Sequence, residues 1–334
     1  MTAGGDPTGT LSIRSAGLDA LRAFACVLVV LFHLRTVLGV PFGPLDPVVQ
    51  GGNTGVYVFF ALSGYLLYRP FVDREVDLGS YAVKRAARIL PGYYVALVGL
   101  TLLTRTSLPI EHPAPYLGIA SSYWLELRDF LGSAWTLSAE LIFYVTLPLI
   151  ARVARGREVR TLLVIAAVSV TLQVALLANL DARTEWLVGV YPVVVYAFVP
   201  GMLLAVLELH HRSAFARLRT WPWLVAGGVL LAIGCIAHNS PVAAGAGFGT
   251  PLLMGWLLQH RAPGARVLAF LGGASYAMYL WHKDAFEAFG LAGLGIALVA
   301  SALSWAAVER PVLAWAHHIA RSRAATRPVE AATG

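Results

Sequence analysis

Two ionisable residues, Arg22 and His33, lie inside the apolar run "LDALRAFACVLVVLFH", where charge is costly and a polar group is a functional candidate by default. Eleven residues separate them, so at about 100° and 1.5 Å per residue they fall within roughly 20° of one helix face and about 16 Å apart. One face therefore offers a guanidinium near one end and an imidazole near the other. A neutral imidazole can take the proton of a hydroxyl as that hydroxyl attacks a thioester, because its pKa lies near working pH. Arg22 has a simpler role open to it, snorkelling to the interface with Asp19 one turn away. The alternative for His33 is an interhelical hydrogen bond, but it lies too deep to snorkel, and chemistry is the favoured reading.

Other chemistry-bearing residues sit in separate apolar segments. Glu140, in "SAWTLSAELIFY", is placed about two turns inside its segment, at a depth similar to that of His33. Its carboxylate could orient an imidazole, stabilise the imidazolium, hold an acceptor hydroxyl, or only pair structurally with a donor on another helix. His282, in "GGASYAMYLWHKDAF", falls close enough to the outer interface to be solvated. Glu309, in "VERP", suits an interfacial pairing with an arginine as well as it suits catalysis. Lys84, Arg85 and Arg88, in "YAVKRAARILPGYY", could grip the phosphates of a nucleotide-bearing donor, for which arginine is the better fork. Charge that sets topology and touches anionic lipid looks the same. In "YVFFALSGYLLYRPF", Ser63 and Gly64 read first as small residues that let helices approach. A serine nucleophile there needs a base placed for it.

The elements that must position these groups are membrane helices. Hydrophobic residues make up 58% and charged residues 13% of the 334, with a mean hydropathy of +0.69, against about 25% charged residues in an ordinary soluble domain. Apolar windows long enough to span a bilayer are read at 18–40, 52–70, 89–107, 133–151, 161–180, 186–208, 222–239, 242–259, 267–285 and 290–311. With the N-terminus in the cytoplasm, 19 of the 25 Lys and Arg fall in cytoplasmic connections, as the positive-inside rule requires. The expected fold is thus an all-α bundle of about ten transmembrane helices with both termini cytoplasmic. It divides into a cytoplasmic segment 1–17, a transmembrane domain 18–313 and a disordered cytoplasmic tail 314–334. The net charge of +7 comes in short clusters between apolar windows, which argues for topology and against nucleic acid. Cys26 and Cys235 lie in apolar windows without metal or disulfide spacing, and no metal is expected. The first window is too long for a signal-peptide core. The external connection 107–132 carries Tyr116, Tyr123 and Trp124 beside Glu111, Glu126 and Asp129, a set that suits a sugar or an interfacial aromatic belt equally.

Taken in order, "R-x10-H" at Arg22 and His33, "FFALSGYLL", "KRAARILPGYY", "SAWTLSAELIFY", "SYAMYLWH" and "VERP" resemble the bacterial membrane acyltransferase-3 family. That family acts on surface polysaccharides and macrolides. The resemblance implies a multi-pass protein of the bacterial cell membrane that transfers an acyl group, acetyl above all, from cytoplasmic acyl-CoA to a hydroxyl of a carbohydrate or macrolide-like acceptor. Acyl-CoA is then a co-substrate, with no permanently bound cofactor. By position His33 matches the catalytic histidine and Arg22 its motif partner, Arg85 and Arg88 the basic pair for the donor, and Glu140 the glutamate at the reaction centre. Ser63, Trp135, Ser138, Tyr144 and His282 are expected to hold the acceptor or support the site. Thr136 stands where the family often has serine, which keeps the hydroxyl. Acceptor recognition is expected from the bundle and its short loops. The main alternative is a transporter or flippase in which Arg22, His33 and Glu140 line a proton or substrate path; a membrane sensor or scaffold explains the motifs least well.

Overall fold

The computed structural model describes residues 7–124, 126–178, 193–237, 246–260 and 263–325. Among them every regular element is helical. In chain order these are α1 (Pro7–Leu38), α2 (Asp46–Gln50), α3 (Gly55–Asp73), α4 (Leu78–Thr104), α5 (Leu108–Glu111), α6 (Pro113–Leu117), α7 (Trp135–Ala154) and α8 (Glu158–Ala178). There follow α9 (Val199–His210), α10 (Arg212–Arg217), α11 (Trp221–Ile236), α12 (Ala246–Leu257), α13 (Ala265–Phe289), α14 (Ala292–Ser304) and α15 (Arg310–Ala325). A π-helical turn, Trp305–Glu309, joins α14 to α15.

Among the described residues six stretches are long and apolar enough to cross a bilayer: Ala16–Leu38, Gly52–Asp73, Leu78–Thr104, Gly132–Ala154, Glu158–Ala178 and Ala292–Arg323. The windows at 186–208, 222–239, 242–259 and 267–285 hold α9, α11, α12 and α13, which are not among the six; parts of the first three windows lie outside the described residues. Large apolar side chains face outward along the long helices, among them Val98 and Leu102 on α4, Val145 and Leu149 on α7, and Leu163 and Val168 on α8. An outer surface of this kind suits contact with lipid.

Three expected boundaries move. Helix α4 starts at Leu78, where the Asp77 side chain caps it by accepting from the Ser80 N–H at 3.0 Å. The apolar window opened only at 89, because hydropathy counts charge while helix propensity tolerates Lys and Arg. Lys84, Arg85 and Arg88 are therefore inside a helix and not at its mouth. The N-terminal segment is helical from Pro7, and the tail expected to be disordered from 314 is helical through Ala325. Helix α15 lies along α4 with Ala316 and Ala320 buried, and packing of that kind overrides a polar composition.

Two close helix crossings set the interior. Helices α1 and α13 meet in the same order along both: Gly272 against Asp19, the Cys26 thiol on the Ser275 carbonyl at 3.4 Å, and His33 against His282. The two helices thus run parallel. Helix α3 crosses α9 backbone to backbone, since a Cβ on Gly64 would lie 2.0 Å from the Phe198 carbonyl oxygen and one on Gly201 1.8 Å from that of Ala61. Arg69 clamps the same pair by donating to Glu208 at 2.7 Å, with the Tyr65 hydroxyl donating to Glu208 at 2.6 Å. Helix α4 is pinned to its neighbours by two phenols: Tyr276 donates to the Ile89 carbonyl at 2.9 Å, and Tyr81 to the Tyr144 carbonyl at 3.1 Å.

Candidate active site

Helices α1, α3, α4, α7, α13 and α15, with the turns beside them, line three adjoining cavities. A basic cavity is lined by Asp19, Arg22, Lys84, Arg85, Arg88, Trp305 and His317, among others. A central cavity shares Arg22, Arg85 and Arg88 with it and adds Ser63, Thr136, Glu140, Tyr144, Tyr276 and Tyr279. A third cavity shares Val56 and Tyr279 with the central one and holds His33, Asn53, Tyr57, Ser133, Trp135 and Lys283. Shared walls make the three a single series, with guanidinium groups at one end and an imidazole at the other.

The arginines are held by aromatic faces. The Arg85 guanidinium lies 5.9 Å from the ring centres of both Tyr81 and Tyr144, and Arg88 lies 5.5 Å from Tyr276 and 5.8 Å from Trp305. Cation–π contact orients a guanidinium and leaves its in-plane donors unused. Among the described residues neither arginine forms an ion pair, and Arg85 Nε is buried without a hydrogen-bond partner. Arg22 is engaged, donating to Asp19 at 2.9 Å while lining both the basic and the central cavity.

Glu140 and His33 do not pair. Both Ser63, at 2.5 Å, and Tyr144, at 2.8 Å, donate to Oε1 of Glu140. Helix α7 supplies Glu140 and Tyr144 from one face by their i, i+4 spacing, and the α3–α9 crossing at Gly64 fixes the turn that carries Ser63. The imidazole of His33 instead meets His282, with Nδ1 of His33 and Nε2 of His282 2.9 Å apart. The reason is geometric: α1 lies along α13 over much of its length and faces α7 across the central space. His282, expected to be solvated near the interface, is 0% exposed.

The remaining expected residues divide cleanly. Trp135 lines the histidine cavity and packs edge-on against Phe60, ring centres 6.2 Å apart. Ser138 lines none of the three cavities. It is buried and donates to the Ile119 carbonyl at 2.6 Å, tying α7 to the 105–131 connection. Thr136 donates to the Tyr279 hydroxyl at 3.1 Å. Glu309 is fully buried in the π-turn and accepts from the Ser304 hydroxyl at 2.9 Å, and among the described residues it forms no ion pair with an arginine. In the external connection Tyr116 is fully buried, donates to the Leu127 carbonyl at 3.0 Å and has its phenol pushed up to about 12 by burial, so it builds structure and offers no face to a sugar. Tyr276 and Tyr279 were missed. Steps of three residues from Tyr276 to Tyr279 and from Tyr279 to His282 already made each the helix-surface neighbour of the next.

Residues 15–309 match the family model described as an acyltransferase domain. The chain belongs to the acyltransferase-3 family. Among its relatives are the exopolysaccharide production protein ExoZ of Rhizobium meliloti, 28% identical over 77% of this chain and 84% of its own, and Nodulation protein 10 of Rhizobium leguminosarum bv. viciae, 28% identical over 88% and 92%. The O-acetyltransferase OatA of Staphylococcus aureus is 23% identical over 80% of this chain and 49% of its own, so the chain spans about half of that relative's length. No solved structure matches the chain. This acyltransferase-3 protein is an enzyme that transfers acyl groups, and the family favours that reading over a transporter.

Proposed function

We propose that this acyltransferase-3 protein moves an acetyl group from cytoplasmic acyl-CoA to a hydroxyl of a cell-envelope carbohydrate, across the plane of the bacterial cytoplasmic membrane. The observation that carries the reading is the series of three adjoining cavities, with Arg85 and Arg88, which form no ion pair among the described residues, at one end and His33 at the other. On this reading α9, α11, α12 and α13 also cross or enter the bilayer, the bundle has ten spans, and the basic cavity opens to the cytoplasm. The carbohydrate acceptor is drawn from the relatives: ExoZ is named for exopolysaccharide production and OatA as an O-acetyltransferase.

The donor's phosphates would meet Arg85 and Arg88, with Arg22 beside them, and its thioester would reach the central cavity. An acceptor hydroxyl would come through the histidine cavity, where Trp135, Tyr57 and Asn53 offer aromatic faces and an amide to a sugar. As the hydroxyl oxygen bonds to the acyl carbon, Nε2 of His33 takes its proton, the carbon–sulfur bond breaks, and the thiolate leaves. The imidazolium then returns the proton to the thiolate. Glu140, held by Ser63 and Tyr144, supplies negative charge between the arginines and the imidazole.

The test is a deletion strain complemented with wild-type protein or with His33→Ala, its envelope carbohydrates assayed by mass spectrometry for ester-linked acetyl groups. Restoration by wild type alone is the expected result. Full restoration by His33→Ala removes the base from the scheme, and an unchanged acetyl profile in the deletion strain removes the acceptor class.

A further inference from the structure

Four atoms fall in a chain: the Met278 carbonyl oxygen, the two ring nitrogens of His282, and Nδ1 of His33. Nδ1 of His282 lies 3.0 Å from the Met278 carbonyl, Nε2 of His282 lies 2.9 Å from Nδ1 of His33, and Nδ1 of His33 lies 3.0 Å from the Val29 carbonyl. A carbonyl oxygen only accepts. Each carbonyl therefore demands a proton on the Nδ1 it faces, which leaves Nε2 of His282 as a lone pair and makes His33 Nδ1–H its donor, shared with Val29. The opposite tautomers would set two lone pairs against two carbonyl oxygens. One basic nitrogen then remains on the pair, Nε2 of His33, and His33 lines the cavity at the far end from the arginines.

We propose that His282 is the positioning residue for His33, fixing the tautomer that makes Nε2 the base and accepting from Nδ1–H as the imidazolium forms. This rests on the reading of His33 as the base. It assigns to a buried histidine the part that a carboxylate plays in many acyl-transfer sites, and frees Glu140 for the central cavity. His282 is fit for the part because it is fixed: it is 0% exposed, with Tyr279 and Phe286 each 5.8 Å away, ring centre to ring centre. The parallel α1–α13 crossing holds the two rings 4.8 Å apart.

The test compares His282→Leu, which removes the acceptor, with His282→Gln, whose side-chain oxygen can still accept from Nδ1–H. Purified protein in liposomes would be assayed for turnover of acetyl-CoA. His282→Leu should lower kcat about 10²-fold, the scale of a misplaced general base, with KM for acetyl-CoA within about twofold, while His282→Gln should recover at least about tenfold of that loss. A merely structural role would move Leu and Gln together, and that result overturns the proposal. Wild-type kcat in His282→Leu alongside an inactive His33→Ala overturns the part of His282 alone. Activity in His33→Ala overturns the underlying reading and the positioning role with it. Nitrogen-15 NMR of histidine-labelled protein, with signals assigned by the loss of one in each folded variant, gives a readout besides activity: both rings should carry the proton on Nδ1, and an Nε2–H tautomer on either refutes the assignment.

Discussion

Replacing Glu140 separates charge from geometry, because both of its donors converge on one oxygen. Ser63 and Tyr144 each donate to Oε1, and the amide oxygen of Glu140→Gln can accept from both. What glutamine loses is charge assistance, about 1 kcal/mol for each bond on typical values for charged and neutral hydrogen bonds. That is about 2 kcal/mol in all, less in a site partly open to water. Glu140→Ala instead leaves two hydroxyls without their acceptor. The Tyr144 side chain is buried, and an orphaned buried donor costs about 1–3 kcal/mol, so the pair should cost about 3–4 kcal/mol. Thermal unfolding of detergent-purified protein should fall by a few degrees for Gln and by roughly twice as much for Ala. Turnover of acetyl-CoA should fall about 10²-fold in both, because charge and not shape is what the chemistry uses. Wild-type turnover in Glu140→Gln would refute a role for the charge. Equal unfolding temperatures for Gln and Ala would refute the claim that the carboxylate organises Ser63 and Tyr144.

The same geometry predicts other outcomes. Arg85→Ala and Arg88→Ala should each raise KM for acetyl-CoA roughly 10- to 100-fold, the worth of one charge-assisted bond; with a phosphate-free thioester donor the variants and wild type should converge, and a persisting difference would place the arginines elsewhere in the mechanism. Gly201→Val puts a side chain 1.8 Å from the Ala61 carbonyl oxygen, a backbone atom that cannot step aside; loss of monodisperse protein in size-exclusion chromatography is expected. Ser138→Ala should lower stability by about 1–3 kcal/mol, because it removes the hydroxyl that holds the buried Ile119 carbonyl at a left-handed φ of 56°. Turnover by the folded fraction should be unchanged, since Ser138 lines none of the three cavities.

The chain's own order of residues determined the helical class, the candidate residues and the pairing of Arg22 and His33 on one face. Each follows from local rules: apolar length against bilayer thickness, 3.6-residue periodicity, and the cost of an ionisable group among apolar neighbours. Arg85, Arg88, Glu140 and His33 were legible for that reason, and all four line the cavity series.

Partnership was decided by tertiary structure alone. His33 lies 249 residues from His282, and Glu140 lies 77 from Ser63. A depth argument put His33 and Glu140 level with each other, but depth fixes only one coordinate of a bundle. The rotation of each helix and the choice of its neighbour came from close approaches at Gly272 and Gly64, where a missing side chain lets two backbones touch. Those contacts turn His33 toward α13 and Ser63 toward α7, and no local pattern in the sequence encodes which distant residue will be waiting there.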